Sequence, residues 1–212
     1  MKRALATLAV GSLAVLASAC SGEDGQAEPQ GSPAPSVPSS APASSEATSD
    51  LPHSGAPAVD NPLPESAVSG DPCDTLTREQ VTTALGEGAE PGKRTDKEEL
   101  GTSCRWTHLS AQSSFIVGFL TETGEGLSST YANAKPQSEV FNEVAPVEEY
   151  PAVTYKSRAE APMCTAVVGI ANEYAVSVTG TLGTDAEREG KDPCKPVQEV
   201  ASWVVSNLKA NG

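Results

Sequence analysis

Cys20 is the residue whose surroundings most clearly define a chemistry. It closes the run Leu16-Ala17-Ser18-Ala19-Cys20, which follows a basic start, Lys2-Arg3, and an apolar segment from Ala4 to Leu16. An apolar segment of this length is too short to span a bilayer but is typical of an export signal. The pattern predicts a lipoprotein signal peptide over residues 1–19 and a diacylglyceryl group on the Cys20 thiol. The chain would then be held at the extracytoplasmic face of the cell membrane through Cys20.

Ordinary secretion is the alternative to lipidation. Ala17-Ser18-Ala19 satisfies the A-x-A pattern of a secretory cleavage site, and Ala17 stands where lipoprotein signals usually place leucine. The cysteine count favours lipidation, because removing Cys20 from the five cysteines leaves an even number that an exported domain can pair completely.

The other four cysteines, Cys73, Cys104, Cys164 and Cys194, are predicted to form two disulfides. Four cysteines allow three connectivities. We favour Cys73 with Cys104 and Cys164 with Cys194, because these pairs close short loops and each ties a terminal helix to the start of a hairpin. The rival pairs Cys73 with Cys194 and Cys104 with Cys164, since Cys73 and Cys194 both follow Asp-Pro.

Established catalytic and ligand-binding patterns are missing from the sequence. It has no Gly-x-Ser-x-Gly elbow, phosphate-binding loop, His-Glu-x-x-His, EF-hand spacing or Cys-x-x-Cys. No motif places a partner beside His53 or His108, and paired carboxylates such as Glu98-Glu99 and Glu148-Glu149 are typical of solvated surface. The sequence therefore predicts no catalytic residue, no metal site and no cofactor.

The charge of the chain excludes one class of partner. The net charge is −14, and removing residues 1–19 takes away Lys2 and Arg3 and leaves −16. A chain this acidic repels nucleic acid and anionic headgroups, so we expect no nucleic-acid binding.

Residues 20–70 are predicted to be the lipidated cysteine and a disordered linker. Between Ser21 and Gly70, 33 of 50 residues are Ser, Ala, Pro or Gly, and none is Lys, Arg or aromatic. Such a segment buries too little apolar surface to offset its ordering entropy. A folded core is expected to begin at Asp71.

Residues 71–212 have the length of one domain. Thr77 and Gln80 form a capping-box pattern ahead of a helix from Arg78 to Leu85. The charged stretch from Gly86 to Gly101 has no apolar period and is expected to be an exposed loop. Thr102 to His108 and Ser113 to Thr121 alternate like a β-hairpin.

The second half of the domain continues with a short helix, more strands and a long helix. The helix is expected from Leu127 to Lys135, weaker strands at 139–144 and 152–156 around a turn bearing Pro146 and Pro151, and a hairpin at 164–178. One apolar stripe defines the last helix: Val197, Val200, Ala201, Val204, Val205 and Leu208. This order predicts a single α+β domain in which the first and last helices cover one face of an antiparallel sheet.

These motifs, taken in order, resemble the actinobacterial lipoprotein family known as domain of unknown function 3558 (DUF3558). The resemblance covers Asp71 to the C-terminus and rests on Asp71-Pro72-Cys73 with Leu76, Ser103-Cys104-Arg105-Trp106, Tyr150 to Val153, and Asp192-Pro193-Cys194. It implies an exported, lipid-anchored, disulfide-bearing domain with no established reaction.

Two classes of function follow from the sequence. The favoured one is a non-enzymatic module that binds an envelope protein, a wall polymer or a small ligand, with a carrier of an apolar ligand as a variant that needs a cavity of several hundred Å³. The alternative is an envelope hydrolase that uses Asp and Glu. Trp203 lies off the apolar stripe of the last helix and is a candidate contact residue.

Overall fold

The computed structural model describes residues 50–97 and 101–211, so the predicted signal peptide, Cys20 and the linker up to residue 49 lie outside the described residues. Within them the chain folds as an α+β domain with seven strands in one antiparallel sheet. The strands are β1 (Lys93–Lys97), β2 (Gly101–His108), β3 (Ser113–Leu120), β4 (Val140–Val147), β5 (Tyr150–Lys156), β6 (Met163–Gly169) and β7 (Ala175–Thr181). The helices are α1 (Arg78–Leu85), α2 (Gly126–Asn133), α3 (Thr184–Arg188) and α4 (Cys194–Asn211).

The strand order across the sheet is β1-β2-β3-β7-β6-β5-β4. The two expected hairpins, β2 with β3 and β6 with β7, form with antiparallel register. β3 pairs with β7, which joins the hairpins and places β7 at the centre. The central strand β7 ends at Gly180 and Thr181. The end of α1, the turn between β2 and β3, helix α3 and the start of α4 meet around this end of the strand.

Helix α1 has the bounds that its capping residues predict. The Thr77 hydroxyl accepts from the Gln80 backbone N–H at 3.3 Å, and the Gln80 side chain accepts from the Thr77 N–H at 2.8 Å. Leu76 and Val81 are both buried and flank this capping box. The helix ends before Gly86, whose φ of 94° is one that side chains rarely adopt.

Helix α4 covers one face of the sheet with the predicted stripe. All six predicted stripe residues are buried, and they pack against the even-numbered positions of β6 and their neighbours. Asn207 of α4 also donates to the Thr75 carbonyl at 2.7 Å and to the Gln80 side chain at 2.9 Å, which holds α1 against α4. The first and last helices therefore lie on one face, as expected.

The opposite face is partly covered by α2. Leu127 and Tyr131 of this helix pack on Val153, Val167 and Ala175. The helix ends at Asn133, and the 3₁₀ turn Lys135–Gln137 follows. The sequence predicted the end at Lys135, just before Pro136, but this proline lies inside the 3₁₀ turn, where its missing N–H is tolerated.

The disulfides have the local connectivity: Cys73 bonds to Cys104, and Cys164 bonds to Cys194. Each Asp-Pro-Cys sequence forms the same turn, in which the aspartate side chain accepts from the cysteine N–H, at 2.8 Å for Asp71 and 2.9 Å for Asp192. A disulfide then joins the first turn to β2 and the second turn to β6, so the repeated Asp-Pro-Cys sequence corresponds to the same local structure at both places.

Two expectations for the loops are wrong, and a further short helix is present. Lys93–Lys97 is not a loop but the edge strand β1, and the expectation failed because Lys93 to Asp96 are exposed on both faces and show no alternation. Pro146 and Pro151 lie within β4 and β5, and the turn is formed by Glu148 and Glu149, with φ of 51° and 79°. The polar stretch after β7 contains α3.

The largest correction concerns residues 51–70, which we call the N-terminal strap. The sequence placed them in a disordered linker, but Val59 and Val68 are buried in the core. The Leu63 N–H donates to the Ile170 carbonyl at 2.8 Å, and the Tyr174 hydroxyl donates to the Leu63 carbonyl. The composition averaged over 50 residues concealed these few apolar positions. The strap also bonds to Ile170 and Tyr174, which lie more than 100 residues further along the chain than Leu63.

Candidate functional site

A cleft of about 600 Å³ opens at the end of the sheet where β7 stops. Its walls come from four places in the chain: the end of α1, the turn between β2 and β3, the end of β7 with α3, and the first turns of α4. This volume is within the range of small-molecule binding sites. The cleft is therefore the candidate functional site.

The deeper lining of the cleft is apolar. Phe115 is 3% exposed, and Val197 and Val200 are each 2% exposed. Gly180 belongs to the same lining, and a Cβ at this position would stand 2.4 Å from the Val197 side chain. Only glycine permits this close approach of β7 to α4, so the shape of the cleft depends on Gly180.

The Cys164–Cys194 disulfide fixes one wall. Cys194 opens α4, two residues before Pro196 and three before Val197, both of which line the cleft. The predicted disulfide residues thus do not form the site but position it. The Cys73–Cys104 disulfide lies beneath Gly92 and beside Trp106, outside the lining.

The charged groups at the mouth of the cleft pair with each other. Arg188 lies 3.2 Å from Asp185, and Lys191 lies 2.8 Å from Glu189. The hydrogen bond to Glu189 raises the pKa of Lys191 above its ordinary value. Both ion pairs join exposed side chains, so they contribute little to stability and leave no net charge on these four groups.

His108 positions one rim of the cleft. Its Nδ1 accepts from the Ala111 N–H at 3.1 Å, so the proton lies on Nε2, which donates to the Glu87 carbonyl at 2.7 Å. The ring joins the loop after α1 to the turn between β2 and β3. His108 is thus engaged on both nitrogens by backbone groups.

The remaining residues singled out by sequence lie elsewhere. His53 belongs to the strap, 3.7 Å from Glu125, and Glu148 accepts from the Ser202 hydroxyl at 2.9 Å in its turn. Trp203 is half-buried against the core and is not a lining residue. Glu98-Glu99 lies outside the described residues. Within 50–97 and 101–211, no three His, Cys, Asp or Glu side chains form a group able to hold a metal ion.

Sequence reasoning did not identify the lining of the cleft. Its residues come from separate segments and share no motif, and most are Ser, Thr, Ala, Gly or Val. The one available signal was Gly180 within an otherwise alternating strand, since such a glycine often marks a close approach of two elements.

Tyr131 is the buried polar group whose environment is least satisfied. Its side chain is 3% exposed, and among the described residues its hydroxyl has no hydrogen-bond partner. Burial raises the pKa of Tyr131 to about 12, with smaller contributions from the nearby Glu143 carboxylate, which is outside hydrogen-bonding geometry with the hydroxyl. Burial and the nearby carboxylate both disfavour the charged phenolate, so the phenol loses its proton only at high pH.

Tyr131→Phe is expected to be neutral at pH 7 or to stabilise the domain by up to about 1 kcal/mol, because it removes a buried hydroxyl without a partner. A raised pKa means that stability falls as pH rises from the ordinary tyrosine value of 10 through 12, and the substitution should make this fall shallower. Urea unfolding at pH 7 and pH 11 measures both effects. Tyr174→Phe is the control, and because it loses the bond to Leu63 it should cost about 1 kcal/mol; a similar loss in Tyr131→Phe would contradict the interpretation.

No helix in the part of the chain that the structure describes is both long and apolar enough to cross a membrane. Comparison with protein families finds one described as "Protein of unknown function (DUF3558)", whose model matches residues 15–207. Neither a curated protein nor a solved structure matches the chain.

Proposed function

The chain belongs to the DUF3558 family of proteins of unknown function, and from that premise we propose that it is a lipid-anchored binding module of the cell envelope rather than an enzyme. The observation that carries the proposal is the cleft of about 600 Å³ at the end of the sheet. Its ligand would be an envelope component or a small molecule that reaches the outer face of the membrane.

The chemistry of the cleft supports binding more than turnover. Its interior is apolar, whereas the carboxylates of Asp185 and Glu189 are each beside a cation. General acid–base catalysis requires a group that is free to exchange a proton with the substrate. Among the described residues lining the cleft, the four charged ones, Asp185, Arg188, Glu189 and Lys191, are all in these two ion pairs.

A carrier of an apolar ligand is the second candidate within this proposal. It requires a cavity of several hundred Å³ between the sheet and the helices; the cleft has that volume, although it opens at the end of the sheet, where its inner wall is formed by α4. A module that holds its ligand and a carrier that passes it on would use the same apolar interior.

Attachment through Cys20 is expected to be essential for location. Cys20→Ser should move the protein from the membrane fraction to the soluble extracytoplasmic fraction, because serine has no thiol to receive the diacylglyceryl group. Fractionation with mass analysis of the mature N-terminus measures this. Ser21→Ala is the matched control and should leave the protein in the membrane fraction; an unmodified wild-type Cys20 would refute the anchor.

Binding in the cleft is tested with a photo-crosslinking amino acid in cells. Ser110, an exposed residue of the lining, carries the probe, and Ala132, an exposed residue of α2 outside the lining, is the control position. A specific adduct from position 110 that is missing from position 132 is the expected result. Equal adducts from both positions, or none from position 110, would count against a binding role for the cleft.

A further inference from the structure

The two large hydrophobic side chains that are exposed among the described residues are both at the cleft end of the sheet. Leu109 is 68% exposed and Met163 is 44% exposed. Leu109 immediately precedes the lining residue Ser110, and Met163 pairs across the sheet with the lining residue Thr181. Single exposed hydrophobics are common, and neither side chain belongs to the lining itself. Cys164 faces α4 through its disulfide, so Met163, the preceding residue of β6, faces the other side of the sheet, and Leu109 alone adjoins the cleft on its rim.

The mouth of the cleft is electrically balanced. Asp185 and Glu189 are matched by Arg188 and Lys191, so no unpaired charge of these four groups awaits a ligand of opposite sign. The chain as a whole carries −14, which repels anions such as fatty-acid carboxylates. The polar groups of the lining that a polar end could contact include the hydroxyls of Ser113, Ser114 and Thr181 and the amide group of Gln112.

The N-terminal strap leaves this end of the domain free. His53 is bound near the start of α2, where its N–H donates to Ser128 at 3.0 Å, and Gly126 bonds to Glu173 in the turn before β7. The cleft lies at the other end of β7, so the two are separated by a strand of about 20 Å. The described part of the strap therefore does not occupy the cleft.

We infer that the cleft binds an uncharged amphipathic small molecule, with its apolar part on Phe115, Val197 and Val200 and its hydroxyl- or ester-bearing end among the serine and threonine side chains. Leu109, which adjoins the lining residue Ser110, covers the part of the apolar chain that leaves the cleft. The inference rests on the proposed function, since it names the ligand class of the same site. It differs from that proposal in excluding anionic lipids and free polymers as the main ligand.

The test uses the mature chain and the uncharged fluorescent probe N-phenyl-1-naphthylamine. Its fluorescence should rise with a single saturable site. Monododecanoylglycerol, kept below its aggregation concentration, should displace the probe at a concentration at least tenfold lower than dodecanoate does, because the two share a chain and differ in charge. Equal displacement by the two, or none by the glyceride, would overturn the ligand class.

Variants locate the site. Ala186→Trp, on α3 in the cleft lining, should weaken probe binding at least tenfold, while the matched Ala132→Trp on α2 should leave it unchanged. Leu109→Ser should weaken binding several-fold without closing the cleft. Unchanged binding in Ala186→Trp would place the probe elsewhere and overturn the inference.

A measurement on the unaltered chain covers the case in which Ala186→Trp does not fold. The glyceride should shift the amide resonances of Gly183 and Thr184 and leave that of Ala132 unshifted, and the reverse pattern would overturn the inference. An adduct from position 110 in cells without any glyceride binding would refute this ligand class and leave the binding module standing. Loss of both would refute both.

Discussion

Replacing both Cys164 and Cys194 with alanine is expected to lower the free energy of unfolding by about 3.5 kcal/mol, the chain-entropy value for a loop of this length. The two cysteines are 30 residues apart, and their bond ties the first turn of α4 to β6. The loss is a large share of the 5–15 kcal/mol that typically holds a domain folded. Urea denaturation followed by tryptophan fluorescence measures it.

Pairing-specific controls accompany this substitution. Cys73→Ala with Cys104→Ala should cost a similar amount, because that separation is 31 residues. In the chain from Asp50 onward, which lacks Cys20, each matched double variant should contain no free thiol. Cys73→Ala with Cys164→Ala should contain two, on Cys104 and Cys194. Free thiols in a matched double variant would show that the cysteines pair otherwise.

The two disulfides should differ in their effect on the cleft. Cys194 begins the helix that supplies Pro196 and Val197 to the lining of the cleft. Cys73 precedes α1 and bonds to Cys104, a residue of β2 that is not part of the lining. At a urea concentration where both double variants remain folded, we expect loss of the Cys164–Cys194 bond to weaken probe binding more. If the two double variants lose equal stability but unequal affinity for the probe, the difference in affinity comes from the position of the disulfide beside the cleft and not from global destabilisation.

Local patterns were sufficient where local physics determines the structure. The capping box at Thr77 and Gln80 is complete within four residues, and the bounds of α1 agree with it. The stripe of α4 is likewise encoded by its own spacing, since all its predicted core positions are buried. The paired hairpins followed from alternation, because β2, β3 and β7 bury one face more than the other; β6 alternates as well, although α4 and α2 bury both of its faces.

The missed features depend on distant partners. β1 carries only charged and polar side chains, and it is a strand because β2 offers it an unpaired edge. Glu148 and Glu149 turn with positive φ, where sequence statistics favour Asn and Gly; Ser202 and Lys209 of α4 bind their side chains. The cleft has no sequence signature because it is the space left where four segments meet.

Deleting the N-terminal strap is expected to destabilise the domain by about 3 kcal/mol or more, the transfer free energy of two buried valine side chains. A chain beginning at Asp71 loses Val59 and Val68 from the core, and the strap's bonds to Ser128 and Ile170 as well. A chain beginning at Asp50 keeps all of these and is the reference. Urea unfolding of the two chains gives the difference, and the shorter chain should expose the surface around Tyr174.

Point variants separate the packing of the strap from its length. Val59→Ser should cost about 2 kcal/mol, the value for exposing one valine, whereas Ala58→Ser at the exposed neighbouring position should change stability by less than about 0.5 kcal/mol. Limited digestion with subtilisin should yield a resistant fragment that retains residues 51–70. A resistant core that instead began near Asp71, with stability equal to that of the longer chain, would mean that residues 51–70 belong to the linker and not to the folded domain. That result would mean that the burial of Val59 and Val68 does not stabilise the domain, although the removal of two valine side chains from water is expected to be favourable.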